Sequence, residues 1–281
     1  MQPTTVRIIL SPFNTLVHKK IIVMPTERVS GDDSIINPPR VLIGCPVRNR
    51  GWILPRYLRS LLELEYPQHC IEYAFVVNDS TDDTLGILQE FARSSISPVH
   101  ITIKNMGSRR PSSRGAYNIG NLAILRNILL QIFLSSECSH LFSVDSDILV
   151  TPDSLSALLR LNLPIVSLLV RNDHHLGDLG YYNISQLQGD HYRPVQDFPR
   201  GGVIQVDCTG AAYLIQRGVI EMGVRYYPHR QGEDVGFCED ARARGISIWC
   251  HTGVEGSHVM TGARCSKETQ TGAFLKEGGA T

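Results

Sequence analysis

Between residues 40 and 150 short apolar runs alternate with helical patterns, and this alternation constrains the fold more than any other feature. Val41-Leu42-Ile43-Gly44-Cys45, Tyr73-Ala74-Phe75-Val76-Val77, Val99 to Ile103 and His140-Leu141-Phe142-Ser143-Val144 read as buried strands, since short apolar runs suit strands covered on both faces. Leu54, Leu58, Leu61 and Leu62 recur at helical spacing within Ile53 to Leu64, and Pro67 stops that helix. A second helix runs to about Ala92, with Ser80 or Thr81 expected as its cap and Asp82 and Asp83 suited to its positive N-terminal end. A long helix covers about Ile119–Ser135. The expected fold class is therefore α/β, a Rossmann-like mostly parallel sheet flanked by helices.

The rest of the chain extends this pattern. Pro152 leads a helix over 153–161, and Ile165 to Val170 is a fifth strand. Residues 171–200 read as loop. Val203–Val206 and Ala211–Ile215 read as strands, Glu233 to Arg244 as a helix stopped by Gly245, and Ile246–Cys250 as the last strand. Residues 1–39 differ: two short β-like runs, Val6–Leu10 and Lys20–Met24, precede a polar stretch with a Pro-Pro pair. The expected organisation is an N-terminal extension over 1–39, one domain over 40–262 and a C-terminal tail over 263–281.

Composition narrows the function. The 281 residues carry 27 Lys plus Arg and 27 Asp plus Glu. A chain that grips phosphate backbones usually has a positive excess, so general nucleic-acid binding is disfavoured. No stretch approaches 18 consecutive apolar residues, so no spanning segment is expected, and the first residues lack the pattern of a secretory signal. The seven cysteines (Cys45, Cys70, Cys138, Cys208, Cys238, Cys250 and Cys265) form no CxxC. They read as buried free thiols in a reducing, cytoplasmic setting. The sequons at Asn78 and Asn183 then carry no glycan.

Ligands on such sheets bind at the carboxyl ends of the strands, and the polar residues fall there: Arg48 and Asn49, then Asp79, then Asp145 and Asp147. Asp145-Ser146-Asp147 offers hard oxygen ligands to Mg²⁺ or Mn²⁺. Alone it reads first as a solvated turn, but its place after a buried strand and before a Pro-led helix favours the metal. A helix–loop–helix calcium site is excluded, because the required Gly and later Glu are missing. Asp79 is either an acceptor for a nucleotide base or an Asx turn. Glu233 and Asp234 supply a general base, or simply suit a helix N-terminus, as Arg242 and Arg244 suit the other end. His258 is a candidate third metal ligand or a packing residue. The Arg109, Arg110 and Arg114 loop reads by default as solvated. Asp173-His174-His175 with Asp178 reads as an acceptor-contacting loop before a second metal cluster.

In this order the segments Cys45-Pro46-Val47-Arg48-Asn49, Asn78-Asp79-Ser80-Thr81-Asp82, Leu125-Arg126-Asn127, Val144-Asp145-Ser146-Asp147, Cys208-Thr209-Gly210-Ala211, Gly232-Glu233-Asp234 and Ser257-His258-Val259 carry a resemblance. From about Val41 to Met260 the chain resembles GT-A-fold glycosyltransferases, close to glycosyltransferase family 2 and Anp1-like enzymes. The resemblance implies a metal-dependent transfer of sugar from a UDP- or GDP-linked donor to a hydroxyl acceptor. By it, Pro46, Val47, Arg48 and Asp79 would hold the base and ribose, and Arg126 would sit near the nucleotide. Asp145 would contact ribose or a metal-bound water, with Ser146 beside it. Asp147 would bind Mn²⁺ or Mg²⁺, with His258 as its second protein ligand. Thr209, Gly210 and Ala211 would shape the sugar pocket. Asp234 would be the base of an inverting reaction, with Glu233 in reserve; retention is the Anp1-like alternative. The pattern departs from family 2 at Asn78-Asp79-Ser80-Thr81, where paired acids and a Gly are commoner, and at Tyr227-Pro228-His229-Arg230-Gln231, which lacks an expected aromatic. A nucleotidyltransferase is the rival enzyme, though Pro46 to Gly51 is a poor phosphate loop for it. The non-enzyme rival is a nucleotide-sugar-binding module. No GxGxxG follows the first strand, which disfavours a dehydrogenase.

Overall fold

The computed structural model describes residues 23–24, 38–107, 118–172 and 181–259. The expectations for Val6–Leu10, for the Arg109, Arg110 and Arg114 loop, for Asp173-His174-His175 with Asp178, for Cys265 and for the 263–281 tail lie outside the described residues. The elements are β1 (Val23–Met24), β2 (Val41–Val47), α1 (Leu54–Leu62), β3 (Ile71–Val77), α2 (Thr84–Ser94), β4 (Val99–Ile103), α3 (Ile119–Ser135), β5 (His140–Val144), β6 (Ile148–Leu149) and α4 (Ser154–Arg160). They continue with β7 (Ile165–Val170), β8 (Ile184–Gln188), β9 (His191–Pro194), β10 (Val203–Val206), β11 (Cys208–Thr209), β12 (Ala212–Gln216), α5 (Arg217–Glu221), α6 (Glu233–Ala243) and β13 (Ile248–His258).

The main sheet runs β1-β10-β13-β7-β12-β5-β2-β3-β4, with β6 paired to β13. β2 pairs in parallel with both β3 and β5, β3 with β4, and β7 with β13. β12 lies antiparallel between β5 and β7, so β2, β3, β4, β5, β7 and β13 all point one way. The sheet is mostly parallel in that sense, as expected. Its central strands β3 and β7 are buried along their whole length because both faces are covered. On β2 and β3, Leu42, Ala74 and Val76 pack into one core with Phe133 of α3 and Phe237 of α6, while Ile43, Tyr73 and Phe75 pack into the other with Leu54 of α1 and Leu88 of α2. Alternate side chains of a strand point to opposite faces, so one apolar run feeds two cores. The cysteines at 45, 70, 138, 208, 238 and 250 are free and buried.

Several boundaries differ from the sequence reading. β1 falls within the β-like run expected over Lys20–Met24, and the added detail is that it pairs antiparallel with β10 and lengthens the sheet. Neither Ser80 nor Thr81 caps α2; Asp83 is the cap residue, and the Asp82 carboxylate accepts from the Thr84 and Gly51 N–H groups at 3.1 and 2.9 Å. Residues 184–194 are not loop but the β8–β9 hairpin, which joins β11 in a small three-stranded sheet. β13 does not end at Cys250: after a register shift between His251 and Glu255 it continues along β7 and β6 to His258. Both sequon asparagines are buried, and Asn183 holds Val170 N, Leu168 O and Gly210 O at 2.8–3.0 Å.

Candidate active site

The carboxyl ends of β2, β3 and β5 open on a cavity of about 330 Å³. Pro46, Val47 and Arg48 line it from β2, Asn78 from the end of β3, Asp145, Ser146 and Asp147 from the turn after β5, Arg126 from α3, and Glu233 and Asp234 from the start of α6. His258 closes the ring. Three strand ends, the N-terminal turns of two helices and the end of β13 thus bring together residues spread over 200 positions of sequence.

Each arrives for a local reason. Asn49 and Asp79 have φ of 49° and 43°, a left-handed conformation that Asn and Asp tolerate, and it turns the chain sharply off β2 and β3. Asn49 Oδ1 accepts from Thr81 N at 2.8 Å, which fastens the two loops together. Asn118 caps α3 by accepting from Asn121 N at 3.1 Å, so the first turn of that helix faces the cavity. One turn further, Asn127 exchanges two 2.9 Å hydrogen bonds with the Tyr226 backbone and pins the approach to α6. His258 Cα pairs with Ile148, and Val259 N donates to Asp147 O at 2.9 Å, so the β13 extension places the imidazole beside the turn after β5.

Arg126 is the hub. Its side chain is 3% exposed, and it donates through Nη2 to Asp145 Oδ1 and through Nε to Glu233 Oε1, both at 2.8 Å. Nη1 reaches Ser143 Oγ at 3.3 Å, and Asp234 Oδ1 lies 3.7 Å from Nε. One guanidinium therefore faces three carboxylates. Burial pushes Asp234 up to about 7; Arg126 opposes that shift, while Glu233 and Asp145 add to it. Tyr213 Oη donates to Asp234 Oδ1 at 3.0 Å and also meets the Tyr226 hydroxyl. A carboxylate poised near neutrality at a cavity wall has the properties of a general base.

The two aspartates of the turn have different partners. Asp145 is raised, by burial first, with Arg126 opposing. Asp147 is held below the usual carboxylate range: burial alone would raise it, but His258 and the Arg50 charge outweigh burial. Arg50 Nη2 donates to Asp147 Oδ2 at 3.1 Å, and His258 Nε2 lies 3.8 Å from Oδ1, too far for a hydrogen bond. His258 Nδ1 meets Asn172 Oδ1 at 3.0 Å. A carbonyl oxygen only accepts, so Nδ1 carries a hydrogen and Nε2 is the ring nitrogen that faces Asp147. That pairing of an oriented imidazole with an ionised carboxylate suits a divalent cation completed by phosphate oxygens. Among the described residues no three His, Cys, Asp or Glu side chains converge as a metal set, because Asp145 turns to Arg126.

Four expected donor-binding residues do not line this cavity. The Asp79 carboxylate accepts from Met106 N and Gly107 N at 3.0 and 3.2 Å, so it anchors the chain after β4, and Asn78 forms the wall instead. Thr209 is buried with its hydroxyl on Ser167 at 2.7 Å. Gly210 lies under Asp234, where a Cβ would come within 2.4 Å of Oδ2. Ala211, at φ 66°, turns its carbonyl to accept from Asp145 N at 2.8 Å. Gly210 and Ala211 thus lie against the acids from beneath. Sequence reasoning missed Arg50, Asn118, Asn121, Leu122 and Leu125 in the lining, and Tyr213 behind Asp234. Asn118 was findable, since an Asn before an apolar helical run is a cap signal.

Comparison with known proteins follows the same lines. The family model described as Anp1 matches residues 25–183. The chain is 28% identical over 228 residues to mouse procollagen-lysine,2-oxoglutarate 5-dioxygenase 2, covering 75% of this chain and 29% of that protein. It is 29% identical over 205 residues to a Drosophila melanogaster glycosyltransferase 25 family member, with 66% and 33% covered. It is 29% identical over 180 residues to the mannan polymerase complex subunit mnn9 of Schizosaccharomyces pombe, with 58% and 49% covered. The chain thus spans between about a third and a half of these relatives' lengths. Among solved structures it is similar to GalNAc-T7 with UDP, GalNAc and Mn²⁺ (TM-score 0.60, 15% identity, 80% of this chain and 44% of that one). It is also similar to the Pyrobaculum calidifontis mannosyltransferase PcManGT with GDP-Man and Mn²⁺ (TM-score 0.53, 15% identity, 79% and 57%). These likenesses show the fold to be GT-A.

Proposed function

The chain belongs to the Anp1 family, and from that premise we propose that it is a metal-dependent glycosyltransferase. It moves a sugar from a UDP- or GDP-linked donor to a hydroxyl acceptor. The observation that carries this reading is the single cavity shared by Asp147, His258, Arg126 and Asp234 at the strand ends. Two relatives' names and two neighbours' bound ligands, nucleotides with Mn²⁺, support the same chemistry.

In this reading Asp147 and His258 would hold Mn²⁺ or Mg²⁺. The cation, when bound, neutralises the diphosphate and favours its departure. Pro46, Val47, Arg48 and Asn78 form the wall for the nucleotide. Arg126 fixes Asp145 at the ribose side and Glu233 behind it. Asp234, held by Tyr213 and given room by the missing side chain of Gly210, takes the proton of the acceptor hydroxyl in an inverting displacement. Glu233 serves as a positioning group, because its carboxylate is 8% exposed and already bound by Arg126. Residues 40–262 form the catalytic domain. Among the described residues no helix is long and apolar enough to cross a membrane, and the six buried free thiols fit a reducing, cytoplasmic setting.

Thermal melting of the wild type and Asp147→Ala with UDP or GDP, each with and without Mn²⁺, tests the reading. Ligand at about 100 times its dissociation constant adds roughly 2.7 kcal/mol, which raises the melting temperature by several degrees. The expected result is a metal-dependent shift with one nucleotide, lost in Asp147→Ala. A shift indifferent to metal and to Asp147 overturns the metal assignment, and no shift with either nucleotide overturns the donor class.

A further inference from the structure

Arg50 lies in the cavity wall but has no part in the reaction drawn above. Its backbone is fixed on two sides. Its N–H donates to Thr84 Oγ1 at 2.8 Å, and its carbonyl accepts from Ile53 and Leu54 N–H at 2.9 Å, where α1 begins. The guanidinium reaches across to Asp147 Oδ2 at 3.1 Å, and both side chains are only 19% exposed. Asp147 is the carboxylate proposed for the metal, so Arg50 occupies one of the two oxygens that a cation needs. Two cations on one carboxylate repel, and the interaction is weakly screened where water is scarce. A divalent ion arriving alone must therefore displace Arg50 or tolerate it. An ion arriving with a diphosphate brings negative charge that takes up the guanidinium, because Arg binds phosphate oxygens at least as well as carboxylate.

We propose that Arg50 is a positioning residue that keeps the Asp147 carboxylate paired until a nucleoside diphosphate arrives, and then moves to the diphosphate. It thereby makes metal binding depend on donor binding. This rests on the reading of Asp147 as a metal ligand. The device is a positive coupling: the metal binds poorly by itself, the diphosphate relieves Arg50, and each then strengthens the other.

The sign of one effect separates this role from a structural one. Loss of a merely structural contact loosens the site and weakens metal binding. Loss of Arg50 as described strengthens binding of the metal alone and weakens the diphosphate's contribution. The experiment titrates Mn²⁺ into the full chain, with free Mn²⁺ read by electron paramagnetic resonance, before and after addition of UDP or GDP. The proteins are the wild type, Arg50→Gln, Arg50→Lys and Asp147→Asn, each checked for folding by circular dichroism. Arg50→Gln is expected to bind Mn²⁺ alone on the order of tenfold more tightly, the factor that corresponds to about 1.4 kcal/mol. Its gain in Mn²⁺ affinity on adding the nucleotide falls by a similar factor. Arg50→Lys stays near the wild type, and Asp147→Asn loses the site. If Arg50→Gln binds Mn²⁺ alone no better than a wild type whose site needs Asp147, the role of Arg50 is overturned and the metal site stands. If neither wild type nor Arg50→Gln binds Mn²⁺, with or without nucleotide, the metal site falls and the role of Arg50 falls with it.

Discussion

Replacing Arg126 by Met removes a buried cation that faces Asp145, Glu233 and Asp234 while keeping most of the side-chain volume. Two charge-assisted hydrogen bonds of 2.8 Å disappear. Removing one partner of a buried pair costs about 3–5 kcal/mol, because a charge is left in the interior. The Glu233 side chain is 8% exposed and bears that cost in full, whereas Asp145 is 32% exposed and recovers part of it from water. The expected loss is therefore in the lower half of the range, about 3–4 kcal/mol. At roughly 2–4 °C per kcal/mol for a domain near this size, the melting temperature falls by about 6–16 °C. The loss also depends on pH. Arg126 is the largest influence opposing burial at both Asp145 and Asp234, so its removal raises both further. A carboxyl whose folded-state pKa is raised contributes stability below its unfolded value and loses it as pH rises through the folded one. The deficit of Arg126→Met against the wild type is thus largest at pH 8 and shrinks toward pH 5. Urea unfolding of both proteins across that range measures it. A deficit below about 1 kcal/mol at pH 8, the worth of an exposed pair, or a deficit independent of pH, refutes the hub.

Asp234→Asn removes the group raised to about 7, so the wild type's decline in stability from pH 5 to pH 8 flattens in the variant; equal slopes in thermal melts over that range contradict the assignment. Gly210→Ala pushes a methyl to 2.4 Å from Asp234 Oδ2 and displaces the carboxylate. Sugar transfer, followed as nucleotide release with acceptor present, falls on the order of 100-fold, while nucleotide binding by calorimetry is unchanged; undiminished transfer shows that Asp234 is not the base.

Much of the fold was legible because the chain writes it locally. β4, β5, β7 and α3 fall where their apolar patterns place them, since a short apolar run and a long one at helical length have few other ways to bury those residues. Asp145, Asp147, Glu233 and Asp234 were legible as site candidates for a related reason: strand ends and helix starts on a parallel sheet meet on one side. The β8–β9 hairpin was not legible. Its His191, Arg193 and Pro194 are exposed, and Tyr192 is tied by two 3.0 Å hydrogen bonds to Gln231, which lies 39 residues away. The extension of β13 was hidden likewise, because Gly253 and Gly256 interrupt its apolar pattern and its pairing with β7 and β6 holds it as strand.

What the sequence determined by itself was the kind of sheet, the edge of it that binds, and the identity of the acids gathered there. Tertiary structure alone decided what each acid touches. Asp145 and Asp147 stand two residues apart, yet one turns to Arg126 of α3 and the other to Arg50 and His258. Asp79 was set to hold the chain after β4, and Gly210 and Ala211 to lie against the acids from below. Propensity and periodicity act over a few residues and fix which elements form. The partner of a carboxylate depends on which cation packing brings within 3 or 4 Å, and here that cation comes from 19 to 107 positions away.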